Sequence, residues 1–177
     1  YDIFLVKYNA AGTKQWSKLY GTSSSEMTYG GLAVDGSNNI FFSGFRSGWT
    51  GFLFKVNSTG TEQWTKTFST TSNDNGNTNV AADSSGNVYI TGHSSTKFDD
   101  NSTSSLDIFI RKYNTSGDIQ WTQTIGTSSD ENPDGITIDS SGNIFVTGFT
   151  SGGIDGNTSA GSKDLFIVKY NSSGTPL

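Results

Sequence analysis

The stretch Leu32-Ala33-Val34-Asp35-Gly36-Ser37-Asn38-Asn39-Ile40-Phe41-Phe42-Ser43-Gly44 decides the fold. It holds two short apolar runs separated by a turn made only of Asp, Gly, Ser and Asn. An Asp side chain bonds backbone two residues on, and Gly or Asn tolerates positive φ, so a hairpin is specified locally. A third run follows, Phe52-Leu53-Phe54-Lys55-Val56, then the turn Asn57-Ser58-Thr59-Gly60 and a fourth run with Trp64 and Phe68. Short β-branched or aromatic runs bounded by turn residues predict four strands. No window sustains apolar residues at helical spacing, which predicts essentially no helix.

The unit recurs along the chain. Val80-Ala81-Ala82 and Ile136-Thr137-Ile138 repeat the first strand, and Asp83-Ser84-Ser85-Gly86-Asn87 and Asp139-Ser140-Ser141-Gly142-Asn143 repeat the turn. Third strands are marked by Lys7, Lys55, Lys112 and Lys169, at intervals of 48, 57 and 57 residues, and fourth strands by Trp16, Trp64 and Trp121. A fixed period of this length marks an array of one supersecondary unit. The repeats run approximately over 2–50, 51–106, 107–163 and, in part, 164–177, all within one segment spanning 1–177.

The strands are apolar on both faces. Phe4, Val6 and Tyr8 point one way and Ile3 and Leu5 the other, whereas a sheet wetted on one face alternates polar with apolar. Covering two faces without helices requires sheets against sheets. The predicted fold is therefore all-β, a β-propeller of four-stranded antiparallel blades, with about three blades here as part of a larger ring. Small Ala33, Ala81 and Thr137 suit the crowded innermost strands, and Trp64 and Trp121 the splayed outermost ones. A β-solenoid is the competing architecture, but its coils are shorter and do not meander through two glycine turns. A ring needs about four blades. The remaining ones are expected from the same longer polypeptide, or else from a homo-oligomer; a start at Tyr1 rather than Met favours the former.

Val34-Asp35-Gly36-Ser37-Asn38-Asn39-Ile40-Phe41-Phe42-Ser43-Gly44 with Phe52-Leu53-Phe54-Lys55-Val56 and Trp64 resembles the bacterial SBBP repeat, named for a seven-bladed β-propeller. Ile138-Asp139-Ser140-Ser141-Gly142-Asn143-Ile144-Phe145-Val146-Thr147-Gly148 with Asp164-Leu165-Phe166-Ile167-Val168-Lys169-Tyr170 resembles it more closely. The resemblance covers nearly the whole chain. It implies a propeller, usually in a secreted or surface-attached protein, and it implies no catalytic residues.

Composition narrows the classes further. Of 177 residues 32% are hydrophobic and 15% charged, and 22 glycines complete an ordinary globular balance. A net charge of −5 offers no basic stripe for a phosphate backbone, so nucleic acid is not an expected partner. Without cysteine there are no disulfides, thiolate metal sites or thiol nucleophiles. No apolar run reaches the length of a membrane span. The expected location is secreted or on a bacterial-type cell surface, with the periplasm as a further option.

Five features are candidates for chemistry. The loops between second and third strands include Asp99-Asp100-Asn101 and Asp155-Gly156-Asn157, and the strands after them open with Asp107 and Asp164. Asp99, Asn101, Asp107, Asp155, Asn157 and Asp164 are hard oxygen donors of the kind Ca²⁺ selects. The pattern is not an EF-hand, since Ala160 and Phe166 stand where Gly and Glu are needed, and Asx-turn chemistry explains the same residues. Glu26, Asp74 and Asp130 each lie nine residues before a turn Asp, so a closed ring would gather them into an acidic collar at the channel mouth. Trp49, on the short loop, is either a packing residue or a surface platform for sugar or protein. His93 is expected in a loop, and the Asn-x-Ser/Thr triplets at Asn57, Asn101, Asn114, Asn157 and Asn171 read mainly as turn chemistry.

The expected function is a non-catalytic extracellular or surface scaffold that binds a protein partner through its variable loops. A Ca²⁺-assisted carbohydrate-binding module is the alternative. A hydrolase or lyase at the channel mouth is a more remote one, since its only visible acids are Glu26, Asp74 and Asp130.

Overall fold

A computed structural model describes residues 1–28, 30–47, 50–69, 78–94 and 105–177. The described residues hold fourteen strands and no helix, so the chain is all-β. Strands β1 (Ile3–Tyr8) and β2 (Lys14–Tyr20) form a two-stranded half-blade. The first fuller blade has an inner strand split into β3 (Glu26–Met27) and β4 (Leu32–Val34), then β5 (Ile40–Arg46), β6 (Thr50–Val56) and β7 (Glu62–Ser69). The second runs through β8 (Asn79–Ala82), β9 (Val88–Ser94), β10 (Asp107–Tyr113) and β11 (Ile119–Ile125). The third has β12 (Glu131–Ile138), β13 (Ile144–Thr150) and β14 (Asp164–Tyr170), and Pro176 bridges back to Tyr170 on its outer side. All pairings are antiparallel, in the order of the chain. These are the meandering blades of a β-propeller.

The turns form as their residues dictate. In the inner hairpins Asp35, Asp83 and Asp139 each accept two backbone N–H bonds on one carboxylate oxygen, from residues two and four on, and an Asn side-chain amide on the other. Positive φ falls on Asn38, Gly86 and Gly142, where Gly or Asn is tolerated. The outer hairpins repeat the device with Asn9, Asn57, Asn114 and Asn171 as acceptors. Three of the five glycosylation-type asparagines, Asn57, Asn114 and Asn171, therefore already serve as turn residues.

The two-faced apolar pattern places the core between sheets. Ile3, Phe42, Phe52, Phe54 and Val56 fill the layer between the half-blade and the first blade. Phe41, Leu53, Val88, Ile90, Phe109 and Tyr113 fill the next, and Tyr89, Ile108, Ile110, Ile144, Val146 and Val168 the third. Along β6, Leu53 and Lys55 turn toward the following blade while Phe52, Phe54 and Val56 turn toward the preceding one. The first and second blades thus each belong to two cores.

One glycine position controls how closely an inner strand approaches its neighbour. A Cβ built on Gly148 would stand 2.1 Å from the carbonyl oxygen of Asn132, and on Gly44 it would stand 2.2 Å from that of Met27. Both obstacles are backbone, so neither can swing aside. Gly148→Ala is expected to destabilise the fold by about 1–3 kcal/mol, the usual cost of overpacking. A urea titration with unchanged midpoint would show that the strands are not this close.

Candidate functional site

Polar groups that recur from blade to blade fall into two sets, and both are turned inward. The first set is a staple between consecutive blades. Lys7 Nζ and Trp16 Nε1 both donate to the carbonyl of Ser58, at 3.1 and 3.2 Å. Lys55 and Trp64 both donate to Thr115 O at 3.0 and 3.1 Å, and Lys112 and Trp121 to Ser172 O at 3.0 and 3.2 Å. In each case the acceptor is the residue after the turn Asn of the next blade. The glycine of that turn, Gly60, Gly117 or Gly174, lies against the indole, where an added Cβ would meet ring carbons at 3.2, 3.1 and 2.9 Å. Lys55 Nζ also stands over the rings of Phe41 and Trp64, at 5.5 and 6.0 Å. The sequence marked these lysines and tryptophans as a period, but nothing in it showed that each pair shares one acceptor in a neighbouring repeat.

The second set closes the crossover from an outer strand to the next inner strand. Glu26 N donates to Tyr1 O and Glu131 N to Leu106 O, both at 2.9 Å. The Glu131 carboxylate accepts Thr127 N at 2.9 Å, Thr127 Oγ1 at 2.7 Å and Thr150 Oγ1 at 2.9 Å. Glu26 accepts Thr22 N at 3.1 Å and Thr22 Oγ1 at 2.5 Å, and Arg46 Nε lies 3.4 Å from the same oxygen. Glu26 and Glu131 are both buried. Buried carboxylates that gather loop N–H and hydroxyl groups fix a loop's path rather than face a ligand.

This geometry corrects the collar. Glu26 is a buried clamp, and its counterpart in the third blade is Glu131, not Asp130. Asp130 is exposed and its Oδ1 accepts Leu106 N at 3.1 Å. Counting back from the turn Asp misaligned the acids because the inner strands differ by one residue. The partner strand skips from Phe45 to Phe42 while the first blade runs from Met27 to Leu32, whereas the third blade has one extra residue between Pro133 and Gly135. The readable signal was the recurring Gly21-Thr22-Ser23-Ser24-Ser25-Glu26 and Gly126-Thr127-Ser128-Ser129-Asp130-Glu131. Asp74 lies outside the described residues, as do Trp49, Asp99 and Asn101.

Of the remaining metal candidates, Asp155, Asn157 and Asp164 line one open pocket beside β14, and Asp107 lies on another blade. Asp164 Oδ2 accepts Ser159 Oγ at 2.7 Å, Ala160 N at 2.8 Å and Gly161 N at 3.4 Å. Asn157 donates its side-chain amide to Ile154 O, and Asp155 takes positive φ in the same loop. Asp107 is buried at the second-to-third blade crossover, 3.5 Å from Ser105 Oγ. Among the described residues no group of three or more His, Cys, Asp or Glu side chains is placed to hold a metal ion. The bonds from Ser159 and then from Ala160 and Gly161 hold the Asp164 carboxyl below its ordinary value of 3.8. A depressed carboxylate contributes its share above 3.8 and loses it as pH falls through the lowered value. The amides of Ala160 and Gly161 should therefore stay protected from exchange down to pH 3.8 and lose protection below it. Loss of that protection already at neutral pH would contradict the loop geometry.

His93 is not in a loop. It lies buried on β9, where other blades carry Phe45 and Phe149, and its Nδ1 is 3.2 Å from Asn132 Oδ1 on the next blade. Burial, and then the Asp83 carboxylate, push the Tyr89 hydroxyl well up, and Tyr170 is pushed up to about 12, first by burial and then by Asp155. Both phenols thus stay protonated in the core at neutral pH.

Comparison with known proteins agrees with this architecture. The profile of the SBBP beta-propeller repeat matches residues 15–44, 63–99 and 120–155, together more than half of the chain. No curated protein matches it. A solved structure of a protein of unknown function from Bacteroides caccae is similar at a TM-score of 0.53 and 12% identity, over 99% of this chain and 56% of that one. A polysaccharide lyase, the PL25 ulvan lyase solved with a GlcA(1-4)Rha3S ligand, is similar at 0.46 and 12% identity, over 89% and 44%. The chain spans about half the length of these solved structures. No helix among the described residues is long and apolar enough to cross a membrane.

Proposed function

This chain belongs to the SBBP β-propeller repeat family, and from that premise we propose that it is a non-catalytic scaffold, secreted or held at the cell surface, which offers its loops to a protein partner. What supports the reading is the fate of the recurring polar groups. Glu26 and Glu131 are bound to their own crossover loops, Asp35, Asp83 and Asp139 to their own turns, and the lysines and tryptophans to the next blade. Repeated chemistry is thereby used to hold blades together, and variation between repeats is left to the loops joining second and third strands. In the first fuller blade β5 ends at Arg46 and β6 begins at Thr50, whereas residues 151–163 separate β13 from β14 and carry their own hydrogen-bonded turn around Asp164.

The scaffold reading is tested by incubating the purified chain with a panel of acidic and neutral polysaccharides, with calcium and with EDTA, and by probing a glycan array under both conditions. It expects no new reducing ends or unsaturated products and no calcium-dependent glycan signal. Product formation would make the chain an enzyme, and calcium-dependent binding to one glycan class would make it a lectin-like module.

A further inference from the structure

The outer edge of the second blade differs from those of its neighbours. Strands β2, β7 and β11 each end their sheet, and among the described residues nothing pairs with the far side of β11. A strand edge carries a row of unpaired N–H and C=O groups that can template another strand, and proteins blunt it with charge, above all lysine. β2 carries Lys14 and Lys18, and β7 carries Glu62 and Lys66. At the same two places β11 has Ile119 and Gln123. Ile119 is 55% exposed there.

Other guards do not make up the difference. All three outer strands shift register once in their pairing, just before the tryptophan, so a bulge is common to them. Asp118 lies ahead of β11, but its carboxylate accepts the Asn114 side-chain amide at 3.2 Å within the same turn. The blades before and after the second are both in the chain, and they pack on the faces of its sheet rather than along this edge. In a propeller the outer edge points radially outward, whatever number of blades completes the ring.

Ile119-Gln120-Trp121-Thr122-Gln123-Thr124-Ile125 holds no charge, no proline and no glycine, and five of its seven residues are β-branched or aromatic. That is the composition of a segment that pairs with copies of itself. We infer that β11 is a self-association edge, which pairs antiparallel with β11 of a second copy and joins two four-stranded blades into one continuous sheet. The occupant is a second copy because two identical neutral strands set threonine and glutamine side chains beside one another, with no like charges to hold them apart. Such a pair is isologous: both copies contribute the same edge, so the assembly closes at two. It goes beyond the scaffold reading and does not depend on what the loops bind.

Light scattering on the purified chain from micromolar to millimolar concentration, with hydrogen exchange measured at both extremes, tests it. The mass should rise from the 18.9 kDa of one chain toward twice that value and no further. Amides of β11 should exchange more slowly in the concentrated sample, while those of β7 keep their rates. Gln123→Lys and Ile119→Lys each restore the residue type that β2 carries at that place. Either should hold the chain at its single mass, with an unchanged β-sheet circular dichroism spectrum and unfolding midpoint. A single-chain mass at every concentration overturns the inference, as does growth beyond two copies. Association that leaves β11 exchange unchanged, or that survives both lysines, overturns it too. A monomer would leave the polysaccharide and glycan results untouched.

Discussion

Phe109→Ala is expected to lower the free energy of unfolding by about 3–5 kcal/mol, the range for truncating a large buried aromatic. Phe109 is 1% exposed and lies between the first and second blades, in edge contact with Phe68 at 6.0 Å between centroids and within the layer of Phe41, Leu53 and Val88. Its neighbours in that layer are themselves buried side chains of the two sheets, so closing the space left by the ring requires one blade to move toward another. Such movement is opposed by the Lys55 and Trp64 bonds to Thr115. Urea unfolding with the linear extrapolation measures the loss. Ser141→Ala, at an exposed turn residue whose backbone alone bonds Asp139, should stay within about 0.5 kcal/mol and serves as the reference. A Phe109→Ala loss no larger than that of Ser141→Ala would mean the two sheets do not share a core.

Trp64→Ala carries the second large effect, through a different route. The indole is only partly buried, so its loss removes less apolar contact than Phe109, but it also removes a hydrogen bond that crosses between blades and the ring under Lys55. A loss of about 2–4 kcal/mol is expected, between the costs of a bond and of a core aromatic. Lys55→Met keeps the stem and drops the ammonium, and alone should cost about 1–2 kcal/mol because Thr115 O keeps its Trp64 donor. The pair shares one acceptor. The double variant should therefore depart from additivity by at least about 0.5 kcal/mol, whereas independent sites would add. Additive losses would show that lysine and tryptophan do not meet at one carbonyl.

The architecture was legible because each of its elements is written locally. Asp-Ser-Ser-Gly-Asn specifies its hairpin without help from the rest of the chain, and a strand such as Ile3 to Tyr8 shows by its two-sided apolarity that sheets must cover it. The all-β class, the meander and the inner and outer placing of Ala81 and Trp64 followed from those facts. The polar groups were less legible because their partners are far away in sequence. Lys55 and Thr115 are 60 residues apart and meet only across a blade boundary. Glu131 was passed over for Asp130 because bulges shift register by single residues, and spacing alone does not record a bulge. His93 read as a loop residue since its strand runs two residues past the glycine that was taken for its end. The metal reading of Asn157 and Asp164 rested on donor type, and in the structure those side chains bond the loop's own backbone.

The central claim is that consecutive sheets lie face to face and are held by a tryptophan resting on the next blade's glycine. Proton NMR tests it at Gly117. The Trp64 ring current should move the Gly117 Hα resonances upfield of the usual glycine range, Trp64→Leu should return them, and the Trp64 indole N–H should exchange slowly. Ordinary Gly117 shifts, unchanged by Trp64→Leu, together with rapid indole exchange would contradict the account.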